Sequence, residues 1–352
     1  MKSFGIIGTG MIAEFHAKAI QAMANGELIG IYCRNPEKAA AITSAYPCQV
    51  YADLDEFLGN EALDIVTIAT PSGAHLDAII QAAKKGKHII CEKPLEISSE
   101  RILEAEKIAL ENRVILGGIF NRRFNPAVEA LKKAVEEQRF GIISLCEVQV
   151  KWFRDQAYYD AAAWRGTWQL DGGGALMNQS IHTIDLLIHF MGMPKRLSAS
   201  IGTLTHQNIE VEDTAVAILE FENGANGVIQ GSTSTWSSDG RPAEIQISGD
   251  AGAVILQDDH FKLWDFKVPQ ADDAGVKSGL KQEEEQALGA NDPSYINYLG
   301  HQLNFENFVA AVEGTDQLLI TSQEALKSVH VINAIYESAR SQGKWIDLNI
   351  AE

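Results

Sequence analysis

Short apolar runs alternate with longer amphipathic stretches along the first third of the chain. The apolar runs are FGIIG, ELIGIYC, LDIVTIAT, KHIIC and RVILGG, and stretches of helical period such as TGMIAEFHAKAIQAM, HLDAIIQAAKKG and SERILEAEKIALEN lie between them. Strands that alternate with helices of about ten residues or more are joined by right-handed crossovers, which produce a parallel sheet. The runs lack polar alternation, as strands covered on both faces do. The pattern predicts a doubly wound α/β domain over residues 1–121.

The hydrophobic pattern changes after residue 121. One further helix, FNPAVEALKKAVEEQRFG, leads into the strand-like runs IISLCEVQV, RLSASIGTL, DTAVAILEF, NGVIQGSTSTW, AEIQISG, GAVILQ and HFKLW. Because long helices do not intervene, we expect neighbouring strands to pair antiparallel as a meander. Residues 269–294 are predicted to be a polar loop, and two helical stretches follow it. The alternative is a flap over the substrate, with Tyr295, Tyr298 and His301 as its wall residues. We therefore predict a second, α+β domain over residues 122–352, with an open and mostly antiparallel sheet.

The composition limits the partners and the compartment. With 29 basic and 47 acidic residues the formal net charge is −18, which argues against nucleic acid and anionic membranes because both need a basic surface. We expect no secretory signal, since residues 4–8 already form a core strand, and no apolar run approaches the roughly 20 residues of a membrane span. The four cysteines form no CxxC pair, which indicates reduced thiols. We therefore expect a cytoplasmic protein whose partner is a small molecule.

The turn after the first strand carries a GxGxxA pattern. Its residues are Gly8, Thr9, Gly10, Met11, Ile12 and Ala13. The first glycine permits the tight turn, the second lets the backbone approach a pyrophosphate, and Ala13 lets the helix pack closely on the sheet. Because the pattern lies directly between a strand and a helix, it predicts a dinucleotide site.

The end of the second strand bears on the choice of cofactor. An acid that binds the ribose of NAD is expected about 20 residues after the glycine turn, but Cys33 and Arg34 stand there. Without a carboxylate nothing repels a 2′-phosphate, and Arg34 is able to pair with one. The alternative is that Arg34 stacks on the adenine or faces solvent. The residues lean modestly towards NADP over NAD.

The fifth strand ends in the tripeptide Glu92-Lys93-Pro94. Ligands of a doubly wound sheet bind outside the carboxyl ends of the strands, so this tripeptide is expected beside the nicotinamide. A partly desolvated amine near a cationic ring titrates closer to neutrality, which suits it to proton transfer. The alternative is an ordinary surface turn.

The stretch LDGGGALMNQSIHTIDLLI, residues 170–188, is a third candidate part of a functional site. On a predicted helix over residues 175–191, Asn178, His182 and Asp185 share one face. We expect no metal, because asparagine is a poor zinc ligand and neither HExxH nor clustered cysteines accompany it. Two alternatives stay open: a buried cluster in which Asp185 bonds to His182 or to a neighbouring helix, and a wall that holds a substrate.

The stretch before this helix, KWFRDQAYYDAAAWRGTWQ, is rich in aromatic and basic residues. The faces of Trp152 and Trp164 are suited to the apolar face of a sugar ring, and Arg165 to an anionic group. Core packing is the alternative for some of these residues.

Four segments resemble the Gfo/Idh/MocA oxidoreductase family, which is named for glucose–fructose oxidoreductase, inositol dehydrogenase and a rhizopine-catabolism protein. They are GIIGTGMIAEFHAKAI, TIATPSGAHLDAIIQAAKKGKHIICEKPL, GGIFNRRFNPAV and DGGGALMNQSIHTIDLL, in this order. The resemblance implies an N-terminal Rossmann domain and a C-terminal α/β domain with an open sheet. It also implies reversible hydride transfer between NAD(P) and a hydroxyl group of a carbohydrate or polyol, and a homodimer or homotetramer.

The resemblance also assigns roles by position. Lys93 is expected to touch both the nicotinamide ribose and the substrate. The other residues implied as cofactor neighbours are Ala69, Thr70, Pro71, His75, Glu92 and Asn121, and Arg123 joins the substrate side. The family pattern DxxxH has an aspartate where this chain has Asn178. Acid–base work therefore falls to Lys93 and His182, while Asn178 holds a hydroxyl and Asp185 orients the imidazole.

The segments look closest to those of enzymes that act on sugar rings, such as nucleotide-sugar 3-dehydrogenases and glycoside 3-dehydrogenases. Inositol is a further substrate class within the same expectation. Two alternatives stay open: an NAD(P)-binding regulator without turnover, and an enzyme that cleaves a glycoside with the help of a bound nicotinamide.

Overall fold

The computed structural model describes residues 1–279 and 298–348. These residues form two compact units, the first containing residues 1–121 and 298–326, and the second residues 122–279 and 327–348. Every helix in the described ranges falls short of the length or the apolar character that crossing a membrane requires.

The first unit is built on a six-stranded parallel sheet. Its strands are β1 (Lys2–Ile7), β2 (Gly26–Tyr32), β3 (Gln49–Tyr51), β4 (Ile65–Ile68), β5 (His88–Cys91) and β6 (Leu116–Gly118). They lie in the order β3-β2-β1-β4-β5-β6, and each pair is parallel. The order reverses between β1 and β4, so the carboxyl ends of these strands form the crevice where a doubly wound sheet binds its ligand. The predicted α/β class is confirmed.

Helices connect these strands. They are α1 (Met11–Ala22), α2 (Ala40–Ala45), α3 (Leu54–Leu58), α4 (His75–Lys84) and α5 (Ser99–Glu111). Helix α1 buries small residues, Ala13 and Ala17, together with Ile20 at the spacing of one helix face. That stripe of small side chains permits close packing of α1 on the sheet.

The second unit contains an eight-stranded sheet. Its strands are β7 (Ile143–Lys151), β8 (Pro194–Gly202), β9 (Thr214–Phe221), β10 (Asn226–Ser232), β11 (Glu244–Gly249), β12 (Gly252–Gln257), β13 (His260–Phe266) and β14 (Ile346–Asp347). The order is β13-β12-β11-β7-β10-β9-β8-β14. All pairs are antiparallel except β10 with β7. The predicted open, mostly antiparallel sheet is confirmed.

The simple meander, however, is wrong. Strand β7 lies between β10 and β11 rather than beside β8. The chain leaves β7 through more than 40 residues that include helices, so β7 is free to pair with strands that come much later. Hydrophobic periodicity identifies strands but carries no information on which strand lies beside which.

The remaining helices follow in chain order. They are α6 (Pro126–Glu136), α7 (Gln156–Asp160), α8 (Ile181–Met191), α9 (Asp273–Gly279), α10 (Leu299–Val312) and α11 (Ser322–Arg340). Helix α8 packs on α6 and β7 through its apolar face. The presence of α9 corrects the predicted loop over residues 269–294, because Asp273 accepts hydrogen bonds from Arg139 and Trp264 and thereby fastens this turn. The rest of that segment, residues 280–294, lies outside the described residues.

Residues 298–326 lie in the first unit, whereas the sequence-based boundary placed all of residues 122–352 in the second. Helix α10 supplies Phe305, Phe308 and Val309 to the same buried cluster as Phe4 and Ile20. The rings of Phe4 and Phe305 stack with centroids 5.9 Å apart. The apolar face of α10 thus completes the core of the parallel sheet, a long-range pairing that no local pattern signals.

Candidate active site

The glycine turn between β1 and α1 has the shape of a phosphate site. Gly8 has φ +120°, and a Cβ atom there would lie 2.5 Å from the Ala69 carbonyl oxygen, so a side chain does not fit. Within the described ranges, no atom lies within 4 Å of the Cβ position of Gly10. Gly10 is also the N-cap of α1, and no side chain of the described residues caps it. The first amide groups of α1 therefore face open space, which suits a diphosphate.

The other residues of the turn complete this arrangement. Thr9 and Ile12 are half-buried, Met11 is exposed, and Ala13 is fully buried against the sheet. The predicted roles of Gly8, Gly10 and Ala13 thus correspond to a tight turn, an open backbone and a close helix contact.

Two polar atoms at the carboxyl ends of β4 and β6 are buried without a protein partner. Thr70 Oγ1 and Asn121 Oδ1 make no hydrogen bond with any described residue. Pro71 follows Thr70 and begins the turn into α4. Buried polar atoms nearly always have a hydrogen-bond partner. Two that lack one, at the strand ends where a nucleotide is expected, indicate a ligand that forms these hydrogen bonds.

His75 holds these strand ends together. Its Nδ1 lies 3.0 Å from the Pro94 carbonyl oxygen and its Nε2 2.9 Å from the Thr70 carbonyl oxygen. Both ring nitrogens are therefore occupied by backbone, and the ring is 1% exposed. The ring thereby positions Thr70, and the expected contact of His75 with a cofactor stays a prediction.

The end of β2 carries no carboxylate at the expected position. Cys33 is buried there, and its thiol donates a hydrogen bond to the Asn35 carbonyl oxygen over 3.2 Å. Burial raises the pKa of the Cys33 thiol, so it stays protonated. Arg34 next to it is exposed. The end of β2 thus carries an exposed arginine beside an uncharged thiol. This is compatible with both predictions for Arg34, pairing with a 2′-phosphate and facing solvent.

A buried carboxylate lies beside Lys93. Glu92 Oε1 is 3.0 Å from His16 Nε2 and 3.3 Å from His301 Nε2, and Glu92 Oε2 accepts the backbone N–H of Lys93 over 2.9 Å. Burial by itself raises the pKa of Glu92, but hydrogen bonds from the two imidazoles outweigh it and hold that pKa well below its usual range. Burial lowers the pKa of His16. Glu92 is therefore a carboxylate that receives three N–H groups.

The two imidazoles are anchored at their other nitrogens. His16 Nδ1 lies 2.9 Å from Thr67 Oγ1, and His301 Nδ1 lies 3.3 Å from Asn121 Nδ2. With Glu92 ionised, each ring donates from Nε2 and accepts at Nδ1, so one proton assignment satisfies every bond. We call these five residues, His16, Thr67, Glu92, Asn121 and His301, the Glu92 network.

The Glu92 network was missed by sequence analysis. One nitrogen or oxygen atom from each of His16, Glu92 and His301 lies within 4.8 Å of the others, a set that could also ligate a metal ion. Hydrogen bonds account for these atoms without one. Glu92, an expected cofactor neighbour, fixes the backbone at Lys93 by accepting its N–H. His301, one of three residues considered as a wall of a substrate flap, lies 3% exposed in the network. Of the other two, Tyr298 lies beside Lys18 and Tyr295 is outside the described residues.

In the second unit, the predicted helix over residues 175–191 has two parts. Ala175–Ser180 is π-helical, and α8 begins only at Ile181. Glu212 caps the start of the π-helical turn, because its carboxylate accepts the N–H groups of Gly174 and Leu176 over 3.0 and 2.9 Å, and such N–H groups have no acceptor within a helix. A Cβ atom on Gly174 would collide with the Glu212 carbonyl oxygen. Such π-helical turns occur frequently at functional sites.

Glu212 is an unusual carboxyl group. It is 2% exposed, and burial raises its pKa to about 7 although the two N–H groups and the Tyr336 hydroxyl favour the charged form. The turn that carries Asn178 is therefore held by a group that titrates near neutral pH.

Asn178 is oriented by an aspartate that the sequence analysis did not single out. Its Nδ2 donates to Asp171 Oδ1 over 2.7 Å, and Asp171 Oδ2 accepts the Gly166 N–H over 2.9 Å. Asp171 is 2% exposed. The family pattern has a carboxylate at position 178. In this chain the neighbouring carboxylate belongs to Asp171, which holds the amide of Asn178 by a hydrogen bond. His182 follows one turn later at the start of α8 and is half-buried.

Arg123 and Asp185 bind each other. Asp185 accepts hydrogen bonds from Arg123 Nε and from a terminal nitrogen over 2.8 and 2.7 Å, and both side chains are buried. This pair fastens α8 to the turn before α6. Asp185 thus bonds to a neighbouring element, as in one of the two alternatives that the sequence left open. The expected contact of Arg123 with a substrate stays a prediction.

The aromatic and basic residues before this helix form one assembly. Trp152, Trp164 and Arg165, which the sequence proposed for the substrate, lie together with Arg154 and Tyr158. Aromatic rings and guanidinium groups alternate in the order Trp152, Arg154, Tyr158, Arg165, Trp164. We call these five residues the arginine–aromatic stack. Arg154 was not among the predicted site residues, because nothing in the local pattern separates a stacked arginine from a solvated one.

The strand order, the glycine turn and the tripeptide after β5 define a nucleotide-binding oxidoreductase domain. Comparisons with known proteins agree. Residues 2–119 match the family model of the oxidoreductase family with an NAD-binding Rossmann fold, and residues 128–255 match that of the GFO/IDH/MocA C-terminal domain. The inositol 2-dehydrogenase of Rhizobium meliloti is 30% identical over 341 residues, 95% of this chain and 96% of that protein.

Solved structures resemble the chain over its whole length. The WlbA dehydrogenase of Bordetella pertussis, in complex with NADH and UDP-GlcNAcA, has a TM-score of 0.90 and 33% identity, covering 99% of this chain and 98% of that one. The WlbA enzyme of Chromobacterium violaceum, with the same ligands, has a TM-score of 0.88 and 32% identity, covering 100% and 97%. The chain belongs to the Gfo/Idh/MocA family of oxidoreductases, as its motifs indicated.

Proposed function

We propose that the chain is an NAD(P)-dependent dehydrogenase of a ring hydroxyl group in a nucleotide-linked sugar, which also reduces the corresponding ketone. The observation that carries this proposal is Lys93, which follows the carboxyl end of β5 and whose backbone is held by the buried Glu92. The bound ligand of the two WlbA enzymes, UDP-GlcNAcA, supports the choice of a nucleotide sugar.

The residues around the parallel sheet fit a nicotinamide dinucleotide. The open backbone at Gly10 and the uncapped start of α1 suit its diphosphate. Thr70 Oγ1 and Asn121 Oδ1 are buried polar atoms without a partner among the described residues, which suit polar groups of the nicotinamide half. When bound, this cofactor accepts the hydride in oxidation and donates it in reduction.

The end of β2 supports the use of NADP as well as NAD. Cys33 leaves no carboxylate to repel a 2′-phosphate, and the exposed Arg34 is able to pair with one. We expect Arg34→Ala to lower kcat/KM for NADP about tenfold, with little change for NAD. The control Lys107→Ala, at an exposed lysine of α5, changes neither. An equal loss with both cofactors, or no loss with NADP, would contradict this role.

His182 and Lys93 carry the acid–base chemistry in this proposal. His182 hydrogen-bonds the reacting hydroxyl group, and either it or Lys93 takes the proton as the hydride leaves. Asn178 holds an adjacent hydroxyl, with its amide oriented by Asp171. An amide does not accept a proton, so Asn178 only positions the substrate. The proton transfer to which an aspartate at this position could contribute is left to His182 or Lys93.

A substrate panel followed at 340 nm tests the proposal. It contains UDP-GlcNAcA, UDP-N-acetylglucosamine, glucose, glucose 6-phosphate, a glycoside and an inositol, each with NAD and with NADP. We expect the largest kcat/KM with a nucleotide sugar. Turnover of the inositol or the glycoside alone would contradict the nucleotide, binding without any absorbance change would indicate a regulator, and glycoside cleavage without net reduction would indicate the bound-oxidant alternative.

A further inference from the structure

The arginine–aromatic stack places two guanidinium groups between three aromatic rings. The Cζ atom of Arg154 lies 5.3 Å from the centroid of the Trp152 ring and 5.5 Å from that of Tyr158. The Cζ atom of Arg165 lies 4.1 Å from the Tyr158 ring and 5.5 Å from that of Trp164. The alternation holds both cations in fixed positions, since each is in contact with two rings.

The charge of Arg165 is not neutralised by an ion pair. Within residues 1–279 and 298–348, its hydrogen bond goes to the Tyr158 carbonyl oxygen over 2.8 Å, and no carboxylate pairs with it. Arg154 is 6% exposed, and burial together with the charge of Arg165 lowers its pKa. The nearby carboxylate of Asp171 already accepts bonds from Gly166 and Asn178. The stack therefore concentrates positive charge in a partly desolvated place.

Two N–H donors in the stack are buried without an acceptor. Trp152 Nε1 and Arg165 Nε make no hydrogen bond with any residue that the structure describes. On the adjoining π-helical turn, Gln179 donates from Nε2 to the Tyr158 hydroxyl over 3.1 Å, while its Oε1 is buried without a donor. Gln179 is 6% exposed. A buried donor without an acceptor is costly, so such atoms indicate a ligand that pairs with them.

The unpaired atoms define the chemistry of that ligand. Two N–H donors beside two cations require a group that only accepts hydrogen bonds and carries negative charge, which is the chemistry of a carboxylate or a phosphate. Gln179 Oε1 requires a donor, which a sugar hydroxyl supplies. The indole rings of Trp152 and Trp164, each stacked on only one guanidinium group of the described residues, suit the apolar face of a sugar ring.

We propose that the arginine–aromatic stack is a subsite for an anionic oxygen group on the sugar substrate, with Arg165 and the Trp152 indole N–H as its donors and Arg154 as a second positive charge. The inference rests on the proposed function for the identity of the sugar. Its ligand chemistry follows from the stack alone. Such a subsite makes the enzyme selective for acidic sugars over neutral ones.

The test measures binding, so that it stands even if no ligand is turned over. Calorimetry with the NADH-loaded protein compares UDP-GlcNAcA with UDP-N-acetylglucosamine, which differ in one carboxylate, and glucose 6-phosphate with glucose, which differ in one phosphate. We expect at least one acidic ligand to bind more than 30-fold tighter than its neutral counterpart. Tighter binding of UDP-GlcNAcA in the first pair identifies a carboxylate site, and tighter binding of glucose 6-phosphate in the second identifies a phosphate site. Equal affinities within both pairs would overturn the proposal.

A variant locates the preference. Arg165→Gln is expected to weaken the preferred acidic ligand about 100-fold and its neutral counterpart less than threefold, with Arg165→Lys between. The matched control is Arg196→Gln, since Arg196 also stacks on a tryptophan, Trp345, but is only half-buried and already pairs with Glu220. Equal losses for both members of a pair would show a merely structural role. If Arg165→Gln does not fold, Arg165→Lys and the wild-type ligand pairs decide the question.

The binding test and the substrate panel fail independently. Preference for the acidic ligand without an absorbance change at 340 nm would reject the proposed dehydrogenase and retain the subsite. Turnover with equal affinity for acidic and neutral sugars would reject the subsite and retain the enzyme.

Discussion

The carboxylate and the two imidazoles of the Glu92 network have hydrogen-bond partners, whereas buried N–H groups of the arginine–aromatic stack do not have one in the part of the chain that the structure describes. In the network, Glu92 receives three N–H groups, and both imidazoles have partners at each nitrogen. In the stack, N–H groups of Trp152 and Arg165 have none among the described residues. A satisfied cluster stabilises a backbone, and an unsatisfied one is suited to a ligand. The comparison separates residues that position the chemistry from residues that contact the substrate.

The largest expected effect is at the residue that the network holds. Lys93→Met removes an acid–base group, so kcat should fall roughly 10²–10⁴-fold while NADH still binds. Steady-state kinetics and fluorescence titration with NADH measure the two quantities. Lys107→Met, at an exposed lysine on α5, is the control and should behave as wild type. Turnover close to wild type in Lys93→Met would remove Lys93 from the mechanism.

The same reasoning applies to His182→Ala on the substrate side. We expect a comparable loss of kcat, roughly 10²–10⁴-fold, because the reacting hydroxyl loses its hydrogen-bond partner. Retention of kcat with only a raised KM would assign His182 to binding and leave proton transfer to Lys93 alone.

A second effect distinguishes positioning from general stability. Glu92→Gln places an amide against the Lys93 N–H, so one donor must lose its partner, and the free energy of unfolding should fall by about 1–3 kcal/mol. We expect kcat to fall at least tenfold as well. The matched control is Glu96→Gln, since Glu96 is also fully buried in the same unit but bonds to Arg101 and to backbone away from Lys93.

Glu96→Gln should lose stability and keep most of its kcat. Urea unfolding and kinetics on both variants give the comparison. If the two variants lose kcat in the same proportion to their stability, the Glu92 network has no special connection with Lys93.

A smaller effect concerns the pH dependence of the π-helical turn. Burial raises the pKa of Glu212 to about 7, so between the unfolded value and pH 7 only the unfolded state is ionised. The contribution of Glu212 to stability is therefore present at low pH and is lost as the pH rises through 7, by up to about 3 kcal/mol. The difference in unfolding free energy between wild type and Glu212→Gln, measured at pH 5 and pH 8, should shrink or reverse accordingly. A pH-independent difference would show that Glu212 stays ionised.

Local patterns predicted the parts of the molecule that depend on neighbours in sequence. The turn from Gly8 to Ala13 and the position of Lys93 after β5 follow from strand, turn and helix signals within a few residues. The fold class followed for the same reason, because alternating strands and helices leave few topologies. The parallel pairing of β7 with β10 did not follow, because the two strands lie about 80 residues apart.

The contacts that give each side chain its role depend on long-range packing. The Glu92 network joins His16, Glu92 and His301, which are separated by up to 285 residues in the chain. Arg123 was assigned to a substrate because the sequence does not show that Asp185 is its partner. Asp171 was overlooked because its role exists only through Asn178. Such roles become visible only when hydrogen bonds and burial are known.

The most direct test of the account is the indole N–H resonance of Trp152. In a proton–nitrogen correlation spectrum of the NADH-loaded protein, assigned by its absence in Trp152→Phe, this signal reports whether the unpaired donor acquires an acceptor. We expect a downfield shift on saturation with the acidic sugar ligand that binds best, and a smaller shift with its neutral counterpart. An unchanged resonance with every ligand that binds would contradict the claim that the stack is open for a substrate.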